Sequence, residues 1–229
     1  MGDEKGERPF HSRVPMACVD ACVIPYPEGD SSIQRMALEA RELGFDGIVC
    51  IGSAFRGRIN GITVLSGMIL HPSSMKDVIN SIRKYTDTVD CILLNAGDAK
   101  FNRAALSYHG IHILRGVHTA YKHGLDHVSA KNAADSNIAI DIDLSVLIRA
   151  RGISRQRALQ CYRDLIGLQR RFEFPLTIST GARSILELRS KREIANICAL
   201  FGMEEDEVSR ALGTVDRLLA PGSPVEVLL

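Results

Sequence analysis

Tryptophan is absent from this chain, and aromatic residues make up only 5% of it, so aliphatic side chains carry most of its 45% hydrophobic content. No apolar run approaches the roughly 20 residues that would span a bilayer, which excludes a transmembrane helix. There is no long polar or low-complexity tract, which excludes a disordered or fibrous class. The six cysteines, Cys18, Cys22, Cys50, Cys91, Cys161 and Cys198, lie mostly inside apolar runs and show no paired CxxC spacing. With no signal peptide ahead of them, they read as reduced thiols in a soluble cytoplasmic protein. No GxGxxG follows the first predicted strand and no Walker loop occurs, so the common dinucleotide and phosphate-loop signatures are missing.

A strong charge of one sign is lacking too, the net value being +1. That balance gives no bulk attraction to nucleic acid, yet it hides local asymmetry. From Arg149 to Phe172 there are seven arginines (149, 151, 155, 157, 163, 170 and 171) against one acid, Asp164. More cations gather there than i,i+4 pairing can absorb, which points to a polyanion or an acidic partner surface. Conversely, Glu204, Glu205, Asp206 and Glu207 run together, where they suit the first turn of the last helix.

What the chain does have is a repeating alternation of short apolar runs and longer helical patterns, the signature of a parallel sheet built from βα units. Strands are expected at 16–24, 45–51, 62–70, 88–95, 111–114, 137–144 and 175–180. Helices are expected at about 73–84, 98–108, 125–134 and 154–172, with two or three more near the C-terminus. A helix also follows the first strand, with a Ser31 to Gln34 capping-box spacing and Gly44 at its end. Between the second and third strands the rhythm breaks: a Gly- and Arg-bearing loop, GSAFRGRING, stands where a helix is due. The expected fold is α/β, a TIM-like (β/α) barrel, irregular in places, with extra C-terminal helices. Residues 1–15 are expected to form a flexible segment and 16–229 a single barrel domain.

In such barrels ligands meet the C-terminal ends of the strands. There the sequence places Asp20, Ser53 with Arg56 and Arg58, His71, Asn95 with Asp98 and Lys100, His118, Asp143, and Ser179 with Thr180 and Gly181. A metal-dependent phosphoesterase would need converging His and carboxylate ligands. The first strand offers no HxH, and His118, His123 and His127 are not spaced to share one face. An unorthodox site around His118, His123, Asp143 and Ser179 remains the enzymatic alternative. The segment ISTGARS, 178–184, would present free N–H groups and Arg183 to a phosphate if it opens a helix, or would be a plain cap. Asp141 and Asp143 alternate with Ile142 and share one side of a strand, so they must be hydrogen-bonded or lie at its end.

The ordered set LDHVSAKNAADSNIAIDIDLSVLI, SRQRALQCYRDLIGLQRRF and FPLTISTGARSILELRSKREIANICALFGM, with SSIQRMALEARELGFDGIV nearer the start, resembles the family of archaeal ribonuclease P protein component 3. That family is related to the 30-kDa subunit of the eukaryal enzyme. The resemblance implies a TIM-like barrel within the ribonucleoprotein that removes 5′ leaders from precursor tRNA. It further implies that catalysis resides in the RNA subunit with Mg²⁺ at its phosphates, so that this chain has no catalytic residue, metal or cofactor of its own. The partners implied are ribonuclease P RNA, precursor tRNA as substrate of the complex, and a small ferredoxin-like protein subunit, with no membrane. Lys131 matches the family's lysine after DHV, while Lys100 and Arg103 fall where it carries basic residues. Arg189 matches the arginine before a segment in which Lys191 replaces a common proline. RNA or partner contact is therefore expected at Lys100, Arg103, Lys131, Arg183 and Arg189, with Arg56 and Arg58 as further loop candidates.

Overall fold

The computed structural model describes residues 15–71, 74–119 and 124–220. Strands β1 (Val19–Val23), β2 (Gly47–Ile51), β4 (Ile62–Leu70), β5 (Cys91–Asn95), β6 (Ile113–Arg115), β7 (Ala139–Asp143) and β8 (Leu176–Ser179) pair in parallel, in the order β1-β2-β4-β5-β6-β7-β8. All seven coincide with expected strands. The segment GSAFRGRING contributes an eighth, β3 (Gly57–Ile59), which folds back antiparallel on β4 through a tight turn at Asn60 and Gly61, both at positive φ. A hairpin therefore replaces a crossover helix.

Helices α1 (Ile33–Glu42), α2 (Met75–Tyr85), α3 (Ala99–Ala105), α4 (His127–Asp135), α5 (Ser145–Arg149) and α6 (Gly152–Phe172) follow the strands. After β8 come α7 (Lys191–Ala199), α8 (Glu205–Leu212) and α9 (Thr214–Leu218). The acidic run accordingly opens α8 and not the final helix. At the start of α1 the cap is one residue later than expected: Ser32 accepts from the Arg35 N–H, while Ser31 donates to Asp30 at 2.6 Å. Both residues of an SS pair suit an N-cap, and tertiary contact decides, because Ser31 Oγ also meets the Ile185 N–H across the barrel seam.

Strand alternation sorts the apolar residues into two clusters. The outer one joins residues such as Leu94, Leu114, Ile140, Ile142 and Ile178 to the helix layer through Tyr162, Leu165 and Phe201. The inner one holds Val19, Ala21, Val49, Cys91, Leu93, Ile113 and Ala139, and Val215 from α9 closes its lower end. On the expected buried face of α6, Ala158, Tyr162, Leu165 and Ile166 are buried.

Between β1 and β8 the barrel closes by a single parallel bridge, Val23 to Ala182, and not by a full ladder. Backbone bonds Gly181 N to Cys22 O (3.0 Å) and Ile24 N to Ala182 O (2.8 Å) reinforce it. A side chain completes the seam: Asp20 accepts from the Thr180 N–H at 3.1 Å and the Thr180 hydroxyl at 2.5 Å.

Candidate nucleic-acid interface and barrel mouth

The polar residues of the barrel interior lie one layer above its apolar ones. On β6 the inward series is Ile113 then Arg115; on β7 it is Ala139, Asp141, Asp143; on β8 it is Thr177 and Ser179, in register with the two aspartates. Asp20, Asp141 and Asp143 are the buried acids among the described residues, and Arg115 is the buried cation.

Each acid is held. Asp141 accepts from Thr177 at 3.1 Å and from Ser179 at 2.7 Å. Asp143 accepts from the Ser145 N–H at 2.9 Å through one oxygen and from Arg115 Nη2 at 2.6 Å through the other. Gly181, at φ +58°, lets the chain pass this carboxylate; a Cβ there would lie 3.0 Å from Asp143 Oδ1. The Arg115 Nε faces Asp141 at 3.8 Å and has no hydrogen-bond partner. Above it, Tyr162 donates to the Asp143 carbonyl at 2.9 Å and meets His118 Nδ1 at 3.0 Å.

Burial pushes the Asp141 carboxyl up to about 7, partly opposed by Arg115, and pushes Asp20 up to about 6 against the hydrogen bonds of Thr180. Burial also disfavours the Arg115 charge, but the nearby acids outweigh it, so this pKa lies above the ordinary value. His118 is lowered, chiefly by burial.

Asp143 and Ser179 end their strands, and Thr180 and His118 follow theirs, as the sequence indicated, whereas Asp20 is the second residue of β1 and not near its C-terminal end; each is engaged in hydrogen bonds within the barrel. No helix opens after β8: the segment from Ile178 leads to a 3-10 turn at Ile185–Glu187, and α7 begins at Lys191. Of the two alternatives the cap is the one seen: Ser184 accepts from the Leu186 N–H and caps the 3-10 turn, while the Ser179 and Thr180 hydroxyls donate to buried carboxylates. Among the described residues no group of three His, Cys, Asp or Glu side chains is placed to hold a metal ion. His123 lies outside the described residues.

Arg115 is the residue that sequence reasoning missed. Within IHILRGVH it reads as a cation just past a short strand. Two inward carboxylates on the adjacent strand were the signal that an inward cation should face them.

The expected contact residues fall in three places. Lys100 and Arg103 are exposed on α3 and Lys131 is exposed on the adjacent α4, the two helices being joined where Asn132 donates to the Arg103 carbonyl at 3.1 Å and to Ser107 at 2.7 Å. Lys100 and Lys131 have no ion-pair partner among the described residues. Arg103 pairs with Asp126, which also caps α4 by accepting from the Ser129 N–H at 2.9 Å. Arg171 borders the same face, its guanidinium 5.3 Å over Phe172, whose ring lies 5.7 Å from that of His127.

Elsewhere, Arg56 pairs with Asp90 at 3.4 Å and Arg58 donates to the Gly61 carbonyl at 3.0 Å, both on the β3 hairpin. Arg183 is exposed beside the seam, and Arg189 donates to the carbonyls of Leu186 and Leu188. The arginine excess of 149–172 is smaller than composition suggests. Arg149 binds Glu187, and Arg170 binds Glu207 of the acidic run at 2.8 Å. Distant sequence charges cancel in the fold.

The parallel strand order and the surrounding helices place the chain in the TIM-like α/β barrel class. The comparisons are more specific. Residues 17–223 match the model of the family described as RNase P subunit p30. Ribonuclease P protein component 3 of Methanococcoides burtonii is 34% identical over 192 residues, covering 81% of this chain and 80% of that protein. That of Methanosarcina barkeri is 31% identical, covering 90% of each. One chain of a cryo-EM structure of archaeal ribonuclease P with mature tRNA superposes with a TM-score of 0.73 at 21% identity, covering 88% of this chain and 89% of that one. The chain belongs to the RNase P subunit p30 family.

Proposed function

We propose that this chain works as a non-catalytic, RNA-binding protein subunit of ribonuclease P, the ribonucleoprotein that cleaves the 5′ leader from precursor tRNA. The family match across residues 17–223 carries the reading. The solved archaeal complex, which contains mature tRNA, supports it by its shared fold. On this reading Lys100, Arg103 and Lys131 on α3 and α4 meet phosphates of the RNA subunit, with Arg171 at their border. Long exposed cations suit this role, because they neutralise phosphates with little desolvation and release condensed counterions.

Arg183 and Arg189, beside the barrel seam, and Arg56 and Arg58, on the hairpin, are assigned to RNA or to a neighbouring protein subunit. A small ferredoxin-like subunit is the protein partner this reading names. Hydrolysis belongs to the RNA, which would hold Mg²⁺ at its own phosphates; this chain stabilises the fold of that RNA. Three groups of the phosphoesterase alternative are committed elsewhere, His118 to Tyr162, Ser179 to Asp141, and Asp143 to Arg115, while His123 lies outside the described residues.

Reconstitution tests the proposal. The RNA and the remaining protein subunits are assembled with and without this chain, and leader removal is followed across Mg²⁺ concentrations. Omission should slow cleavage most at low Mg²⁺, and the chain alone should leave precursor tRNA intact. An unchanged rate at low Mg²⁺, or cleavage by the isolated protein, overturns the reading.

A further inference from the structure

The buried charges among the described residues are three carboxylates and one guanidinium; Asp141 and Asp143 face that guanidinium, and Asp20 is held by Thr180 at the seam. Acids and cation come from different strands. Asp141 and Asp143 project inward from β7, and Arg115 reaches them from β6. The Arg115 side chain is nine-tenths buried, and its placement is unusual for an arginine with five donors. Nη2 binds Asp143, while Nε, buried and without a hydrogen-bond partner, is only within electrostatic reach of Asp141. Its geometric fit to Asp141 is therefore incomplete, and charge is what it supplies there. Removing it would leave two carboxylate oxygens, Asp141 Oδ2 and Asp143 Oδ2, facing the vacated volume with no cation between them.

We propose that Arg115 is a resident cation that closes a latent divalent-metal site at the barrel mouth, with Asp141 and Asp143 as the carboxylates that would hold the ion. Three observations carry this. Both aspartates direct an oxygen to the same guanidinium. Neither can turn away, because Ser179 and Thr177 hold Asp141, and the Ser145 N–H holds Asp143. Hard carboxylate oxygens in a site lined by hydroxyls suit Mn²⁺ or Mg²⁺, with water completing the coordination shell. His118, committed to Tyr162 Oη, stands at the edge of this volume and not within it. While Arg115 is present, positive charge and bulk exclude a second cation. The inference is independent of the RNA-binding reading, since it concerns the interior of the barrel and not its outer helices.

The test uses the full chain with Mn²⁺ as the probe, in wild type, Arg115→Ala, Arg115→Gln and Arg115→Lys. Binding is read by electron paramagnetic resonance of free Mn²⁺ and by thermal denaturation. Arg115→Ala and Arg115→Gln should each take up one Mn²⁺ saturably and melt at higher temperature as Mn²⁺ rises, and adding Asp143→Asn should abolish both effects. Wild type and Arg115→Lys should show neither. Saturable uptake by wild type that Asp143→Asn removes overturns the proposal, as does failure of both neutral variants to bind. Failure of both to fold in excess Mn²⁺ also overturns it, since a cation able to replace the guanidinium would restore the fold.

Discussion

Asp141 shows how a single residue can be legible in sequence while its state is not. The alternation AIDID places it on the same side of β7 as Asp143, and the structure confirms that this side is the barrel interior. What alternation does not reveal is the company it keeps. Thr177 and Ser179 arrive from a strand more than thirty residues later, and Arg115 from a three-residue strand whose own pattern is too short to read. The consequence is a measurable pH dependence. In the unfolded chain this carboxyl loses its proton near ~3.9, whereas in the fold burial raises it to about 7. Between those values the native state binds more protons than the unfolded state, so this group's contribution to stability declines as pH rises and levels off above about 7. Half-buried His118, lowered chiefly by desolvation, contributes with the opposite slope below ~6.5, so the wild-type curve alone is composite. Asp141→Asn removes the first component. Urea denaturation should show the stability of the variant relative to wild type increasing from about pH 4 to pH 7 and constant beyond. A difference that stays flat across that range would contradict the protonation state assigned here.

At the scale of elements, helices and strands were legible wherever period and caps agreed, and the misses have physical causes. The hairpin β3–β4 hid in a Gly- and Arg-bearing stretch because its outer strand is three residues long and largely exposed, leaving no alternation to detect. The ISTGARS segment satisfied a helix-start pattern, yet Ser179 and Thr180 donate to buried carboxylates, and only Ser184 acts as a cap, of the short 3-10 turn at Ile185–Glu187. The α3–α4 pair, in contrast, rests on a local signal. Asp126 is the N-cap of α4 and also binds Arg103, which holds its carboxyl well below the usual range. Asp126→Ala should lower stability by about 1 kcal/mol from the lost cap, measured by denaturant melts. Lys100 and Lys131 carry no such structural duty. Lys100→Glu with Lys131→Glu should leave the melting temperature unchanged and weaken binding to ribonuclease P RNA. Each lost phosphate contact should reduce the slope of log affinity against log salt by roughly 0.7 to 0.9. Binding insensitive to both reversals would place the RNA on another face.

For the molecule as a whole, the barrel class was legible because seven apolar runs recur at βα intervals, whereas closure was not, since it depends on contacts between residues far apart in sequence. Asp20 and Thr180 are 160 positions apart and form the side-chain part of the seam. Asp20→Ala should leave the inner core in place but weaken this junction. Amide hydrogen exchange should then speed up at Cys22, Ile24, Gly181 and Ala182 while the amides of β4 and β5 keep their protection. Uniform loss of protection would show instead that seam and core open as one unit.

The seam also sets an order of events during synthesis. At about 5–20 residues per second, β1 emerges on the order of 10–30 s before its partner β8 has been made. Throughout that interval β1 has β2 on one side and an unsatisfied edge on the other. Helices α8 and α9, which follow β8, pack on β1 and β8 and close the lower end of the barrel only after both edges exist. A ribosome stalled before residue 176 therefore carries a sheet with two open edges, and for this chain the hazard of misassembly lasts until β8 emerges.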